Sequence, residues 1–380
     1  MSLMHLRPAA LDDWLRDYYF TAEIDISSSG VEPYSMAELR ALAGIGVDDL
    51  DNVMFRDSRS CGMAELRTAI ADRFGYGDSS EVLVTHGSGE AEHLFMMTFF
   101  SPGDEVVVAS PIYHTLGAMA ASVGCRVVAW HLRHEDGFAV NTDDLRRLVS
   151  PRTRAVIVNL PHNPTGASVD TAAQQEIISI ARGVGAYLVW DEVFRELTYD
   201  TAPLPSTTTL YERSVAFGSL SKAYGLPGLR IGWGVMPEEL IGPCVTLRDH
   251  STFALSPLVE RIALAAVQRA DVLLTPRYDQ AYKNLSLLED WMHRNEGLVE
   301  GVRPVGGVTA FPRLPEVPDV EEFCHRLLHE YGVLLLPGGC FGFPQHIRLG
   351  FGGPAEAFET GLARLTDLLL KTRQTRRPGW

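Results

Sequence analysis

The stretch Ser219-Leu-Ser-Lys222-Ala-Tyr-Gly-Leu-Pro-Gly-Leu-Arg230 follows an apolar, strand-like run and is the most informative part of the sequence. A lysine in this position, between small hydroxyl residues and Gly/Pro turns, can act as a nucleophilic amine if its neighbours lower its pKa. The hydroxyls of Ser219 and Ser221 and the guanidinium of Arg230 suit a phosphate group. A surface lysine and a structural arginine remain the alternative interpretation of this stretch taken alone.

Short β-branched runs alternate with helical patterns around this stretch, from about residue 80 onward. Several runs are continuously apolar, as expected for strands covered on both faces of a mainly parallel sheet. The predicted strands are residues 81–85, 105–109, 126–130, 154–160, 186–190, 214–218 and 230–235. The predicted helices between them are 90–100, 116–123, 143–148 and 171–183. This alternation predicts an α/β domain with a mainly parallel, seven-stranded sheet flanked by helices.

The pattern changes after about residue 240. Long amphipathic helices over about 256–295 precede strands predicted at 305–311 and 333–336, with helices predicted at 320–331 and 354–371. These elements predict a second, smaller α+β domain. We expect 1–45 to be an N-terminal arm that packs on the small domain, 46–240 the large domain, and 241–380 a linking helix and the small domain.

The composition narrows the classes of partner. The chain of 380 residues carries 33 Lys and Arg against 48 Asp and Glu, a net charge of −15, so neither nucleic acid nor an anionic membrane is an expected partner. Its five cysteines include no Cys-x-x-Cys pair, which argues against a disulfide framework and a zinc site. The sequence shows no signal-peptide pattern and no apolar run of the roughly 20 residues that span a bilayer, so a cytoplasmic location is expected.

Two further motifs place polar groups where predicted strands end. Val84-Thr-His-Gly87-Ser88-Gly89-Glu90 indicates a strand, a turn and a helix start, and the N–H groups of such a helix start bind anions. Val158-Asn159-Leu-Pro-His-Asn163-Pro164 puts two asparagines past a buried strand, at the edge where α/β proteins bind ligands. Ordinary turns remain the alternative for both motifs.

Three single residues add to these motifs. Asp191 ends a strongly apolar strand, where a carboxylate is costly to bury unless it meets a positive group such as a protonated pyridine nitrogen; a helix N-cap is the alternative. Arg348 offers a planar guanidinium that suits a carboxylate, with a surface arginine as the alternative. The thiol of Cys340, in a Gly-rich stretch, is either reactive or a buried bystander.

In order and spacing, these motifs together resemble the fold-type I aminotransferase superfamily of pyridoxal phosphate enzymes over essentially the whole chain. The resemblance implies that Lys222 binds the cofactor as a Schiff base and shuttles the Cα proton, and that Asp191 pairs with the pyridinium nitrogen. Further cofactor contacts are implied for Ser88, Gly89, Tyr113 on the ring face, Asn163 on the phenolic oxygen, Ser219, Ser221 and Arg230. Substrate contacts are implied for Ser29 and Gly30 in the arm, Asn163, and Arg348 on the α-carboxylate.

Two positions depart from that family's pattern. Many relatives carry a tyrosine three residues after the ring aspartate, where this chain has Phe194. A tyrosine that reaches the partner subunit's phosphate often precedes a Gly-x-x-x-Leu-Arg motif, whereas here Phe55 stands upstream of Gly62 at longer spacing. Both departures argue against assuming plain transamination. The resemblance also implies a homodimer, because active sites of the family lie at the subunit boundary.

A closer resemblance is to the capreomycidine synthase group, which cyclises 3-hydroxyarginine in peptide-antibiotic biosynthesis. It is carried by Asp25-Ile-Ser-Ser-Ser-Gly-Val31, Phe55-Arg-Asp57, Asn159-Leu-Pro-His-Asn163-Pro164, Leu220-Ser-Lys-Ala-Tyr-Gly-Leu-Pro-Gly-Leu-Arg230 and Pro337-Gly-Gly-Cys-Phe-Gly342. A sister reaction uses a dihydroxylated arginine on the way to streptolidine. The resemblance implies a lyase-type cyclase that removes the Cα proton, eliminates the β-hydroxyl as water and adds a guanidino nitrogen to Cβ.

A guanidino substrate predicts an acidic or aromatic subsite, for which Glu32, Asp57 and Glu192 are the candidates. Two alternatives to the cyclase stay open. A conventional class I/II aminotransferase would use the same residues with a keto acid as second substrate. A regulatory or structural protein would keep the fold without catalysis, and it would lack the absorbance of a lysine-bound cofactor.

Overall fold

The computed structural model describes residues 8–376 of the chain. The first elements are α1 (Ala10–Tyr18), β1 (Ile24–Asp25), α2 (Met36–Ala43), α3 (Val47–Asp51) and α4 (Ala64–Phe74). The large sheet and its helices follow as β2 (Val82–Thr85), α5 (Ser88–Phe99), β3 (Glu105–Ser110), α6 (His114–Val123), β4 (Arg126–His131), α7 (Thr142–Leu148), β5 (Thr153–Asn159), α8 (Thr171–Val184), β6 (Tyr187–Asp191), β7 (Ser214–Ser219) and β8 (Gly232–Val235). The chain continues through α9 (Glu238–Asp249), α10 (Pro257–Gln268), α11 (Ala270–Arg294), β9 (Thr309–Ala310), α12 (Val320–Tyr331), β10 (Val333–Leu334), β11 (Leu336–Pro337), β12 (Ile347–Gly350) and α13 (Ala355–Arg376).

Seven strands form one sheet in the order β2-β8-β7-β6-β5-β3-β4. Strand β8 is antiparallel to both of its neighbours, and all other adjacent pairs are parallel. Successive side chains of one strand enter separate cores on the two faces, since Val106 lies in one buried cluster and Val107 in the other. The predicted mainly parallel, seven-stranded sheet is therefore confirmed, and burial of both faces explains its continuously apolar strands.

Two predicted strands are shorter than the sequence indicated. Strand β8 begins at Gly232, because a 3-10 turn at Pro227–Leu229 and a left-handed Arg230 (φ 53°) first reverse the chain. The strand predicted over 305–311 is reduced to Thr309–Ala310. Gly307 (φ 69°) bends the backbone immediately before it, a conformation that glycine adopts without steric cost.

The C-terminal part builds a three-stranded sheet and, together with the arm, a separate two-stranded one. Strands β11-β12-β9 are antiparallel, and β1 of the arm pairs in parallel with β10. In helix α1, Trp14 is buried and its Nε1 donates to the carbonyl of Leu335 at 3.1 Å. Residues 1–7 of the predicted arm lie outside the described residues. The predicted boundary at residue 240 falls within α9, whose Leu240 packs in the core of the large sheet, and the domain limits stay a prediction.

The structure also bears on the membrane, metal and cysteine questions that the sequence raised. Within residues 8–376, no helix is both long and apolar enough to cross a bilayer. No group of three or more His, Cys, Asp or Glu side chains in that range is arranged to hold a metal ion. The five cysteines are free thiols. Burial raises the pKa of Cys340 to about 11, which favours the bystander interpretation over a reactive thiol.

Candidate active site

A cavity of about 210 Å³ lies where β5, β6 and β7 end and α5 begins. The parallel strands deliver their last side chains to one edge of the sheet, which is where open α/β sheets bind ligands. The cavity is lined by all of the residues for which cofactor contacts were expected: Ser88, Gly89, Tyr113, Asn163, Asp191, Ser219, Ser221, Lys222 and Arg230. Their roles remain predictions, but the structure brings them together.

One end of the cavity is built to hold an anion. Helix α5 begins at Ser88, so its first backbone N–H groups have no carbonyl partner within the helix. Arg230 lies directly across from this helix start, because a Cβ placed on Gly87 would be 2.7 Å from its Nη2. Gly232 lets the two segments approach, since a Cβ there would lie 2.3 Å from the backbone N of Ser88. A phosphate group fits these donors by charge and by space.

The middle of the cavity presents a buried carboxylate that forms no salt bridge with any described residue. Asp191 ends β6 and is 4% exposed. Its Oδ2 accepts from Nδ2 of Asn159 at 3.0 Å and its Oδ1 from the backbone N of Val193 at 3.2 Å. Burial raises the pKa of Asp191 well above its usual range, and the nearby acid Glu92 adds to the rise. The charge of Lys222 only partly offsets this rise, and a protonated ring nitrogen in contact with the carboxylate would supply a direct positive partner.

Lys222 follows β7 and points into the same cavity. Its Nζ donates to Oγ of Ser29 in the arm at 2.9 Å. Burial and, secondly, the charge of Arg348 lower the pKa of Lys222 to about 8, with Asp191 opposing both. A lysine with a lowered pKa is available as a neutral amine, the form that attacks an aldehyde and accepts a proton.

The predicted substrate residues lie beside this lysine, next to the cavity. Arg348 is 1% exposed in β12 and its Nη1 donates to Oδ1 of Asn163 at 3.3 Å. Its Nε and Nη2 both donate to the carbonyl of Ser27, at 3.1 and 2.8 Å, so the arm partly occupies the guanidinium. Gly30 runs close to the lysine loop, because a Cβ there would be 3.5 Å from the carbonyl of Ser221. Ser29, Gly30, Asn163 and Arg348 therefore converge at one end of the site.

The three acidic candidates for a guanidino group do not line the cavity. Glu32 pairs with Arg277 at 2.8 Å, and Glu192 accepts from Oγ of Ser206 at 2.7 Å, so both carboxylates are already bound elsewhere. Asp57 is exposed. The sequence reasoning passed over Asp12 of α1, which lies 3.1 Å from Nε2 of His114.

The structure adds cavity residues for which no role was predicted. They are Gly87, Glu92, Thr115, Asn159, Val193, Phe194 and Pro227. A sequence signal for Glu92 existed, because it falls on the same helical face as Phe95 and Met96, where an acid is unexpected.

The structure also shows where the two positions that depart from the family pattern lie. Phe194 is 2% exposed in the cavity wall, whereas Phe55 is 79% exposed.

A strand-end lysine facing a buried carboxylate, beside an anion cradle at a helix start, defines a fold-type I pyridoxal phosphate enzyme. The chain belongs to the aminotransferase class I and II family, whose model matches residues 55–365. It is therefore a pyridoxal phosphate-dependent enzyme on the aminotransferase fold, as the resemblance predicted.

Individual relatives refine this placement. The chain is 46% identical over 376 residues to a capreomycidine synthase of Streptomyces vinaceus, covering 98% of this chain and 97% of that protein. It is 31% identical over 327 residues to the arginine–pyruvate transaminase AruH of Pseudomonas aeruginosa, covering 83% and 82% of the two chains. Among solved structures it matches the PLP-dependent cyclase OrfR with a TM-score of 0.92 and 42% identity, covering 98% of this chain and 99% of that chain.

Proposed function

We propose that this protein is a pyridoxal phosphate-dependent cyclase that converts 3-hydroxyarginine or 3,4-dihydroxyarginine into capreomycidine or its hydroxylated analogue in antibiotic biosynthesis. The observation that carries the proposal is the 46% identity to a capreomycidine synthase over 98% of the chain, arm included. The similarity to a PLP-dependent cyclase over the same extent supports it. Neither observation distinguishes one hydroxyl group from two on the substrate.

Phe194 supports this proposal from within the cavity. Its ring centroid lies 5.9 Å from Nζ of Lys222, beside the amine that would hold the cofactor. A phenyl ring offers no hydroxyl to the cofactor's phenolic oxygen, so the family's usual pair of donors there is reduced to Asn163. This difference in hydrogen bonding favours chemistry other than the common transamination.

When bound, pyridoxal phosphate supplies the electron sink that makes the Cα proton of an amino acid acidic. Lys222 is placed to remove and return that proton, since its pKa of about 8 leaves a neutral fraction near neutral pH. Asp191 would keep the ring nitrogen protonated, while Arg230 and the start of α5 would hold the phosphate. Ser29 orients the lysine amine through the hydrogen bond at 2.9 Å.

Arg348 would fix the substrate by its α-carboxylate, leaving the guanidino side chain free to fold back. In the proposed reaction the Cβ–O bond breaks and the hydroxyl leaves as water, taking up a proton. A guanidino nitrogen bonds to Cβ, closing a six-membered ring, and releases a proton, so substrate equals product plus water. Because the nucleophile is tethered, its effective concentration is high and no second substrate is required.

Asp12 lies outside the cavity lining, as the three acids above do, but its charge acts on Arg348, and it is the acid that we assign to the guanidino group. Burial lowers the pKa of Arg348 to about 10, and the opposing charges include Asp25, Tyr113 and, more weakly, Asp12. Asp12 is thus close enough to act on the carboxylate-binding arginine, and its side chain is 43% exposed and so accessible to a ligand. A cation at the far end of the substrate could replace its contact with His114.

The decisive experiment is incubation of the holoenzyme with 3-hydroxyarginine in the absence of any keto acid. The cyclase yields a product lighter than the substrate by one water, detected by mass spectrometry. Lys222→Ala serves as the inactive control. If product forms only after a keto acid is added, the cyclase proposal is wrong. A parallel incubation with 3,4-dihydroxyarginine decides which substrate is turned over faster.

A conventional aminotransferase is the second candidate. The similarity to an arginine–pyruvate transaminase at 31% identity over 327 residues is the observation that favours it. This enzyme would convert arginine and pyruvate into alanine and the corresponding keto acid. Formation of alanine in that mixture, without cyclisation of hydroxyarginine, would establish it.

We further propose that the protein is a cytoplasmic homodimer. Met54 and Phe55 are 74% and 79% exposed in one protomer, an unusual state for two adjacent apolar side chains, and a second copy would cover them. Light scattering of the holoenzyme should give twice the chain mass, and Phe55→Asp should shift it toward the monomer. A wild-type protein of single chain mass would refute the dimer.

A further inference from the structure

Glu92 is a buried acid in the cavity, and the proposed reaction gives it no role. It lies in the second turn of α5, is 2% exposed and lines the same cavity as Asp191 and Lys222. Its neighbours along the helix are the buried apolar residues Ala91, Leu94 and Phe95. Burying a carboxyl group among such side chains costs stability unless a partner compensates.

The partners of Glu92 are sparse. Oγ1 of Thr115 donates to its Oε2 at 2.7 Å, and no lysine, arginine or histidine of the described residues forms an ion pair with it. Asp191 has two fixed donors, from Asn159 and from the backbone of Val193. The hydrogen bonds therefore stabilise an ionised Asp191 more than an ionised Glu92, whereas burial raises the pKa of both acids.

The two acids act on each other electrostatically. The charge of Glu92 is the largest contribution after burial to the raised pKa of Asp191. Two acids that share a low-dielectric cavity do not ionise independently. Protonation of one acid therefore changes the pKa of the other and of any group in contact with it. Glu92 can thus change the protonation of a group that Asp191 contacts, although Glu92 itself does not contact that group.

We propose that Glu92 is a positioning residue for the cofactor ring. Glu92 acts through Asp191 and sets the protonation of the ring nitrogen. When Glu92 is neutral, Asp191 alone would hold the proton of the ring nitrogen. When Glu92 ionises, its negative charge would strengthen that hold. The inference rests on the cofactor and not on the choice between cyclase and aminotransferase, so the two proposals fail separately.

The pKa of Glu92 itself supports this role. Burial raises it to about 7, and the hydrogen bond from Thr115 moderates the rise, so the acid changes charge near neutral pH. Other titratable groups lie on α5 and on the elements that surround this acid. They are Glu90 and His93 on α5, Tyr113 and His114 at α6, Cys244 and Arg248 on α9, Asp191 on β6, and Lys222 and Arg230 after β7.

The test is a pH titration of the visible absorbance of the holoenzyme without substrate, a readout independent of turnover. In the wild type we expect a spectral step near pH 7, from the ionisation of Glu92. Glu92→Gln should abolish that step and keep the cofactor bound. Thr115→Val should move its midpoint upward, because it removes the donor that favours the ionised acid. Glu90→Gln, on the same helix and outside the cavity lining, is the matched control and should leave the step unchanged.

Two results would overturn the proposal. The first is a step that persists in Glu92→Gln at the wild-type midpoint with the cofactor bound. The second is a step that does not move in Thr115→Val, and this variant decides the matter if Glu92→Gln fails to fold. A purely structural role for Glu92 would lower the melting temperature of these variants without displacing the midpoint.

Discussion

The amine of Lys222 and the hydroxyl of Ser29 lie 2.9 Å apart, although 193 residues separate them in the sequence. The same approach is repeated in the backbone, where the N–H of Val31 donates to the carbonyl of Lys222 at 3.2 Å. The N-terminal arm is thus part of the catalytic surroundings of the lysine, and its contribution is measurable.

Ser29→Ala should lower the turnover number by roughly 10- to 150-fold, because a hydrogen bond to a charged amine contributes about 1.5–3 kcal/mol. Binding of the cofactor, followed by its absorbance, should be retained. Ser28→Ala is the matched control, since the hydroxyl of Ser28 donates to Asp25 rather than to the lysine. Equal activity of the two variants would contradict a role for Ser29 in orienting the amine.

The pH dependence of cofactor capture reports on Lys222. The rate at which apoenzyme binds pyridoxal phosphate should rise with pH and level off above about 8, because the neutral amine attacks the aldehyde. Arg348→Gln should move the midpoint upward, since the positive charge of Arg348 lowers the pKa of Lys222. Asp191→Asn should move it downward. A rate that keeps rising to the usual lysine pKa of about 10.4 would exclude a lowered pKa.

Arg348→Lys should reduce kcat/KM by at least about 30-fold, because a single ammonium does not reproduce a planar guanidinium facing a carboxylate. The loss should appear mainly in KM. A substrate analogue without the α-carboxylate provides the control, since its binding should be equally weak in both proteins. If the variant binds that analogue more weakly than the wild type does, Arg348 contacts a part of the substrate other than its α-carboxylate.

Gly232→Ala should weaken cofactor binding, because the new Cβ would lie 2.3 Å from the backbone N of Ser88 and displace the phosphate cradle. Overpacking of this kind costs about 1–3 kcal/mol, which is roughly 5- to 150-fold in affinity. Gly228→Ala is the control, since a Cβ there meets nothing within 4 Å. Equal cofactor affinity of the two variants would show that the loop gives way freely.

The large sheet was predictable because its signal is local. A strand such as β5 is apolar at nearly every position, and its buried neighbours on both faces require this composition. The convergence of the residues expected to hold the cofactor was predictable for a related reason. Asp191 and Lys222 follow directly from strands that end at one edge, so their convergence follows from topology.

The substrate end was less predictable, because it is assembled from distant segments. Asp12 reaches His114 only through the docking of α1, which no local pattern reveals. Glu32 and Glu192 looked available in the sequence, yet Arg277 and Ser206 occupy their carboxylates in the fold. The strand predicted at 305–308 is likewise absent, because the backbone of this stretch bonds to the distant residues Gly166, Leu197 and Tyr199.

The parallel pairing of β1 with β10 has an evolutionary consequence. This junction pairs the backbone of Ile24–Asp25 with that of Val333–Leu334, and Ile24, Val333 and Leu334 bury their side chains in the core there. The residues that would hold the cofactor lie between positions 88 and 230, whereas Ser29 and Arg348 come from segments near the two chain ends. With the roles proposed for Ser29 and Arg348, a joint exchange of the two terminal segments between homologues would alter substrate preference and leave the central cofactor residues unchanged.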